Sequence, residues 1–199
     1  MSGKITAWLS IGSTYTYLTA LRIKGVVQTS SIDLTIRPIS IRQIMKSMDN
    51  IPFPPSKKSK VDYMWRDIQR RARFYGLPIP KVPAPYPLKE FDRANHVGII
   101  MNQQGHYLEY LEHTYRLWFV DGLEAGSEEN LQAALSSMGL DFDEIIGAAS
   151  NEAINDEYIN NTHAAQESGV FGAPSFSVGG EIFWGDDRLE DAIRFSAPH

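Results

Sequence analysis

Apolar and polar positions alternate, cluster or recur every three to four residues in separate stretches of this chain, and those stretches predict its elements. Residues 5–11 are a short, mostly apolar run rich in β-branched and aromatic side chains, which Gly12-Ser13-Thr14 interrupts. Residues 15–26 then continue as a helix, and 32–36 read as a second strand. That order is a βαβ unit, parallel and right-handed in nearly all cases. From about 41 to 167 the patterns are helical. Val61, Met64, Trp65, Ile68 and Ala72 form an apolar stripe on a helix over 60–75, opposite Asp62, Arg66, Arg70 and Arg73. It stops at Gly76-Leu77-Pro78, after which Pro78, Pro80, Pro83, Pro85 and Pro87 stiffen a connection that is neither helix nor central strand. Further helices are predicted over 91–103, 107–120, 128–138, 142–150 and 152–168, with Ser127 capping ahead of Asn130 and Asp141 ahead of Glu144.

The segment 170–189 returns to strand chemistry. Gly172-Ala173-Pro174 breaks the helical pattern and leads into an alternating run over 175–178; Gly179-Gly180 permits the positive φ values of a tight hairpin turn before a second strand over 181–184. Pro174 restricts Ala173 to an extended conformation, and a cis bond there would turn an N–H and a C=O toward a ligand. Gly185-Asp186-Asp187 follows, where an Asp can cap a final helix beginning near Arg188 and set backbone N–H groups at its mouth. An ordinary hairpin packed on a helix is the competing reading.

Composition narrows the function classes. With 199 residues, 43% of them hydrophobic, the chain can bury one good core, alone or with a helical satellite. A net charge of −5 argues against a general nucleic-acid or anionic-membrane binder. Residues 1–11 hold too short an apolar run for a signal peptide, and no later run approaches the ~20 apolar residues of a spanning helix, so a cytoplasmic protein is expected. The chain has no Cys, which excludes protein-based thiol–disulfide exchange, disulfides and thiolate-bound metals. Any sulfur chemistry must arrive with a ligand. No repeat or low-complexity tract is evident.

Candidate chemistry centres on Ser13, on a loop at a helix N-terminus where a hydroxyl and unpaired N–H groups can stabilise an anion; taken alone, it reads first as an ordinary N-cap, since Ser is among the commonest capping residues. His106, Glu109 and His113 share a helical face at metal-binding spacing, but without a second Glu/His helix they read as a polar surface, and no metal is expected. A hydrolase triad lacks its Gly-x-Ser-x-Gly turn. Lys57-Lys58-Ser59-Lys60, after Pro54-Pro55, is either a solvated helix start or an attractor for a carboxylate substrate.

Together the two ends of the chain resemble a thioredoxin-like domain with the middle inserted. Ser13-Thr-Tyr-Thr-Tyr-Leu18 resembles the Ser-Pro-Tyr/Phe-Ser-Tyr-Leu motif of 2-hydroxychromene-2-carboxylate isomerases. Val170-Phe-Gly-Ala-Pro-Ser-Phe and Phe183-Trp-Gly-Asp-Asp-Arg-Leu189 resemble that family's C-terminal signature, and Arg73-Phe-Tyr-Gly-Leu-Pro78 its Arg-x-Tyr-Gly-Leu-Pro. These enzymes are similar to kappa-class glutathione transferases. The resemblance spans essentially the whole chain and implies an α/β fold: a discontinuous DsbA-like, thioredoxin-like domain over 1–38 and 169–199, and a large all-helical domain inserted over 39–168. It implies glutathione as cofactor, a small aromatic carboxylate as substrate, a homodimer, and conversion of 2-hydroxychromene-2-carboxylate to trans-o-hydroxybenzylidenepyruvate in naphthalene-type degradation.

By the same resemblance Ser13 hydrogen-bonds the glutathione sulfur as an activator, Ala173 at Pro174 pairs with the tripeptide backbone, and Asp186 and Asp187 hold the γ-glutamyl end. Lys46 helps with a carboxylate, Trp184 and Gly185 form the floor, and Tyr86, Asn50 and Lys57 face the substrate or pack as loop. Three positions depart from the family pattern: Ser10 replaces the usual Asp, Thr14 the Pro after the serine, and Asp49 the Gly of a Gly-Asn pair. A kappa-like transferase or peroxidase acting on another electrophile, and a non-catalytic glutathione-binding protein, are the alternatives.

Overall fold

The computed structural model describes residues 3–30, 32–51, 54 and 56–197; Pro55 and the ends of the outer segments, 1–2 and 198–199, lie outside the described residues. Strand β1 (Gly3–Leu9) is central to a four-stranded sheet of order β2-β1-β3-β4. It runs parallel to β2 (Ile32–Pro38), with Ile5 opposite Leu34, and antiparallel to β3 (Ser175–Val178), with Trp8 opposite Ser175. The hairpin to β4 (Glu181–Trp184) closes as expected through Gly179 and Gly180, at φ +57° and +90°. This mixed sheet, with helices between β2 and β3, is the expected thioredoxin-like α/β arrangement.

The predicted helix over 15–26 is two helices, α1 (Thr16–Ala20) and α2 (Ile23–Thr29). The break falls at Leu21 and Arg22, where a distant attraction overrides local helix preference. Arg22 donates to Asp186 O at 3.2 Å, pairs with Glu190, and lies 3.6 Å from the Tyr75 ring centre. After β2 come α3 (Ile41–Ser47), α4 (Lys58–Phe74), α5 (Phe91–Gln103), α6 (Tyr107–Arg116), α7 (Glu128–Ser137), α8 (Phe142–Ala149) and α9 (Glu152–Glu167), then α10 (Leu189–Ser196) after the hairpin. The predicted helix over 107–120 widens into a π-turn at Leu117–Asp121. Both predicted caps form: Ser127 Oγ accepts from Asn130 N at 3.2 Å and Asp141 Oδ1 from Glu144 N at 2.8 Å.

Burial is continuous across the sheet and helices. Ile5, Ala7 and Leu9 of β1 and Tyr17 of α1 are buried, with Tyr17 stacked on Phe119 at 4.6 Å. The proline-rich connection is fastened to this core: Tyr17 Oη donates to Pro78 O at 2.6 Å, Trp118 Nε1 to Pro85 O at 2.8 Å, and Lys81 N to Phe119 O at 2.8 Å. Among the described residues no helix is long and apolar enough to cross a membrane.

Candidate active site

The loop between β1 and α1 is held from behind by the helical layer. Asn95 on α5 is fully buried; its Oδ1 accepts from Ile11 N at 2.9 Å, and its Nδ2 donates to Ile11 O at 2.8 Å and Phe91 O at 2.9 Å. Tyr115 on α6 donates to Ser13 O at 2.8 Å and reaches Ser10 O at 3.2 Å. Gly12, at φ +125°, lies where a Cβ would meet the Phe91 ring at 2.0 Å, so backbone and ring are packed face to face.

With its backbone fixed, Ser13 donates its hydroxyl proton to Ala173 O at 2.6 Å. The ordinary N-cap reading of Ser13 is thereby corrected: Tyr15 occupies the cap position, without a side-chain cap. Thr14 Oγ1 instead bonds Met64 Sδ at 3.0 Å, and Tyr15 Oη donates to Asp67 at 3.1 Å, tying the loop to α4. Burial, reinforced by the Asp67 carboxylate, holds the Tyr15 phenol far above its ordinary range, so it stays a donor. The Ala173–Pro174 bond is cis. Among the described residues the Ala173 N–H has no hydrogen-bond partner.

The hairpin sets the backbone beside Pro174. Gly185, at φ +130°, donates its N–H to Pro174 O at 3.0 Å. Trp184 is half exposed, meets the Phe171 ring edge-on at 4.9 Å, and lies where a Cβ on Gly172 would touch its Nε1 at 2.2 Å. The structure therefore brings Ser13, Ala173, Pro174, Trp184, Gly185 and Asp187 close together, with Asp186 buried at the same turn.

Neither Asp caps the final helix; Arg188 occupies the N-cap of α10, with no side-chain cap. The expected cap fails because Asp186 is drawn inward: it is 3% exposed, and its Oδ2 accepts from Arg71 Nη2 at 2.6 Å and Nε at 3.1 Å. Burial pushes the Asp186 carboxyl up to about 6, against the pull of Arg71 and Arg22, with Asp187 adding to the rise. An acid whose folded pKa is raised stabilises the fold in its protonated form. That contribution is full below the usual 3.8 and is lost as pH rises through about 6. Denaturant melts between pH 4 and pH 7 are expected to show a shallower fall for Asp186→Asn than for wild type; equal slopes would refute the assignment.

The other candidate residues lie apart. Lys46 on α3, Asn50 after it and Lys57 at the start of α4 are exposed. Tyr86 is half buried, edge-on to Trp65 at 6.2 Å. Among the described residues no hydrogen bond or ring contact joins these four to Ser13 or the 172–187 surface. Asp49 has φ +51°, a left-handed conformation suited to the Gly of the family pattern. Ser10 is fully buried and its Oγ accepts from Ile41 N at 3.3 Å. The hydroxyl thus fills a structural position and brings no charge to the site. Arg71, Asn95 and Tyr115 were missed in the sequence, since each looks like an ordinary polar or aromatic helix residue.

A family model for the DSBA-like thioredoxin domain matches residues 4–193. A 2-hydroxychromene-2-carboxylate isomerase from Pseudomonas putida is 28% identical over 180 residues, covering 89% of this chain and 86% of that protein. A solved 2-hydroxychromene-2-carboxylate isomerase superposes with a TM-score of 0.83 at 25% identity, covering 96% of this chain and 95% of the other. The cytosolic disulfide reductase DsbM of Pseudomonas aeruginosa, solved with GSH, shares the fold at a TM-score of 0.66 and 13% identity, covering 96% of each chain.

Proposed function

The chain belongs to the family of DSBA-like thioredoxin domains, and we propose that within it this protein is a glutathione-dependent isomerase of 2-hydroxychromene-2-carboxylate. The observation that carries the proposal is the Ser13 hydroxyl on the Ala173 carbonyl beside a cis proline, in a chain without cysteine. A surface that presents a hydroxyl and a strand-like backbone edge, and no thiol of its own, suits a peptide that brings the thiol.

A serine hydroxyl has one proton to donate. When the glutathione sulfur arrives, Ser13 Oγ turns its proton from Ala173 O to the sulfur, and Ala173 O becomes free to accept the cysteinyl N–H of the tripeptide, while the Ala173 N–H donates to its carbonyl. Donation to the charged form favours the thiolate and lowers the thiol pKa. Trp184 and Gly185 form the floor, Asp186 and Asp187 stand at the γ-glutamyl end, and Lys46 serves a carboxylate.

The thiolate adds to the ring carbon of the C=C remote from the hemiketal, forming a C–S bond; the alkene pair shifts to the hemiketal carbon and the ring C–O bond breaks toward the phenol oxygen, which leaves an enol and a single bond where the C=C stood. That single bond rotates. The enol then yields its O–H proton, in net to the phenol oxygen, forms the ketone, re-forms the C=C in the trans arrangement and expels the thiolate, so glutathione is regenerated. Tyr86 stacks on the substrate ring, with Asn50 and Lys57 at its carboxylate. The protein acts as a cytoplasmic homodimer in naphthalene-type catabolism.

The test is to mix the purified protein with 2-hydroxychromene-2-carboxylate, with and without glutathione, and follow conversion to the open-chain isomer in the ultraviolet. Glutathione-dependent conversion is expected. Glutathione binding without conversion would sink the substrate assignment, and a stable conjugate of glutathione with an added electrophile would favour the transferase reading.

A further inference from the structure

Arg42, in the first turn of α3, carries a guanidinium that no carboxylate of the protein answers. It is half-buried; its Nη2 donates to Leu88 O at 3.0 Å, and the guanidinium carbon lies 4.5 Å from the centre of the Phe91 ring. Arg22, Arg71 and Arg116 are half-buried as well, and each meets a carboxylate, on Glu190, Asp186 and Glu112. Among the described residues no Asp or Glu comes within ion-pair distance of Arg42; Asp92, next to Phe91 along α5, stays beyond that distance and accepts from the Tyr158 hydroxyl at 3.4 Å. Withdrawing a charge from water without a partner costs free energy, and an arriving anion recovers it.

The surroundings of Arg42 tie it to the Ser13 loop. The Phe91 ring beneath the guanidinium also packs against Gly12, where a Cβ would meet it at 2.0 Å, and Gly12 precedes Ser13. The carbonyl that takes Nη2 belongs to Leu88, two residues past Tyr86. Arg42 is close enough to act on the Tyr86 phenol through space: burial raises that phenol and Arg42 pulls against the rise. Arg42 therefore stands where the Ser13 loop, Phe91 and Tyr86 come together.

The substrate supplies the matching anion. The carbon that the thiolate attacks lies across the oxygen-containing ring from the ring oxygen, and the hemiketal carbon next to that oxygen also bears the carboxylate. With the sulfur held at Ser13, carboxylate and ring oxygen fall together at the far end of the ring, and the ring oxygen takes up negative charge as its C–O bond breaks. A guanidinium presents several N–H donors in one plane, so one can hold the carboxylate while another meets the oxygen.

We propose that Arg42 is a catalytic residue of this reaction: its guanidinium binds the substrate carboxylate and stabilises the phenoxide as the C–O electron pair passes to the ring oxygen. Arg42 keeps its own proton, and the phenoxide is protonated in net by the enol O–H that becomes the ketone. The proposal rests on the isomerase reading above and deepens it by naming the group that makes the phenol oxygen able to leave.

The test compares wild type with Arg42→Met, which keeps an unbranched side chain against Phe91, in glutathione-dependent conversion of 2-hydroxychromene-2-carboxylate and of analogues whose aromatic ring carries a nitro or a methoxy group para to the ring oxygen. On the unsubstituted substrate kcat of the Met variant is expected to fall about 100-fold or more, the effect of removing one preorganised donor to a developing anion, with KM for that substrate raised and KM for glutathione unchanged. The wild-type to variant ratio of kcat should shrink as the phenol becomes more acidic, because a better leaving group needs the cation less. Arg42→Lys, which keeps the charge and loses the planar fork, is expected between the two. A ratio equal for all the analogues would assign the loss to packing and overturn the proposal, as would a Met variant with wild-type kcat; either result leaves the isomerase reading standing. Wild type that converts none of these substrates with glutathione would overturn both readings.

Discussion

Ser13→Ala is expected to lower glutathione-dependent turnover about 100- to 1000-fold, the range found when one preorganised donor to a developing anion is removed. The geometry points the loss at the sulfur. The Ser13 backbone is fixed by Tyr115 on its carbonyl and by its own N–H to Ser10 O at 3.3 Å, neither of which uses the side chain. The Ala variant therefore keeps the loop and removes only the proton offered at 2.6 Å to Ala173 O, the one that glutathione is proposed to claim. KM for glutathione should change little, since backbone pairing and the γ-glutamyl end survive, while kcat falls. A pH titration of the thiolate absorbance of bound glutathione should show its pKa moving back up toward that of the free thiol. An Ala variant with wild-type kcat and an unmoved thiol pKa would remove Ser13 from the chemistry.

The elements closest to the sequence are those whose signals are local. Gly179-Gly180 between two short alternating runs dictates a hairpin, and the strands fall at Ser175–Val178 and Glu181–Trp184. Ser127 and Asp141 cap because the donor they serve lies three residues on. The hydroxyl of Ser13 was legible as chemistry from its loop, but its partner, Ala173, is 160 residues away, and only the shared sheet brings them together. The misreadings share that cause. Asp186 has the local form of a cap residue, yet it meets Arg71, 115 positions away, and burial with a charge partner outcompetes a cap. Arg22 sits in a good helical pattern, and its attraction to the same turn breaks the helix there. Asn95 sits among apolar neighbours on α5 with nothing in the pattern to separate a buried clamp from a tolerated polar residue.

That clamp predicts the largest effect on stability. Asn95→Leu keeps the branching and heavy-atom count of the side chain but leaves the Ile11 N–H, Ile11 C=O and Phe91 C=O without the partners that Asn95 now supplies at 2.8 to 2.9 Å in a fully buried place. Each stranded buried backbone group costs about 1–3 kcal/mol, and partial relaxation of the loop brings the total to roughly 3–5 kcal/mol, a large fraction of an ordinary domain's stability. Denaturant unfolding should show this as a lower midpoint with an unchanged slope. Asn95→Asp should be at least as destabilised as the Leu variant at neutral pH, because a buried carboxylate still accepts from Ile11 N but faces two carbonyl oxygens without a proton to offer. In whatever fraction stays folded, the loop loses its hold at Ile11 while Tyr115 still grips Ser13 O, so Ser13 Oγ is placed less sharply over Ala173. Activity per folded molecule should then fall through kcat more than through KM, and the thiol pKa should rise part of the way that it rises in Ser13→Ala. A Leu variant within about 1 kcal/mol of wild type would mean that the loop finds other partners and that the helical layer does not set the Ser13 geometry.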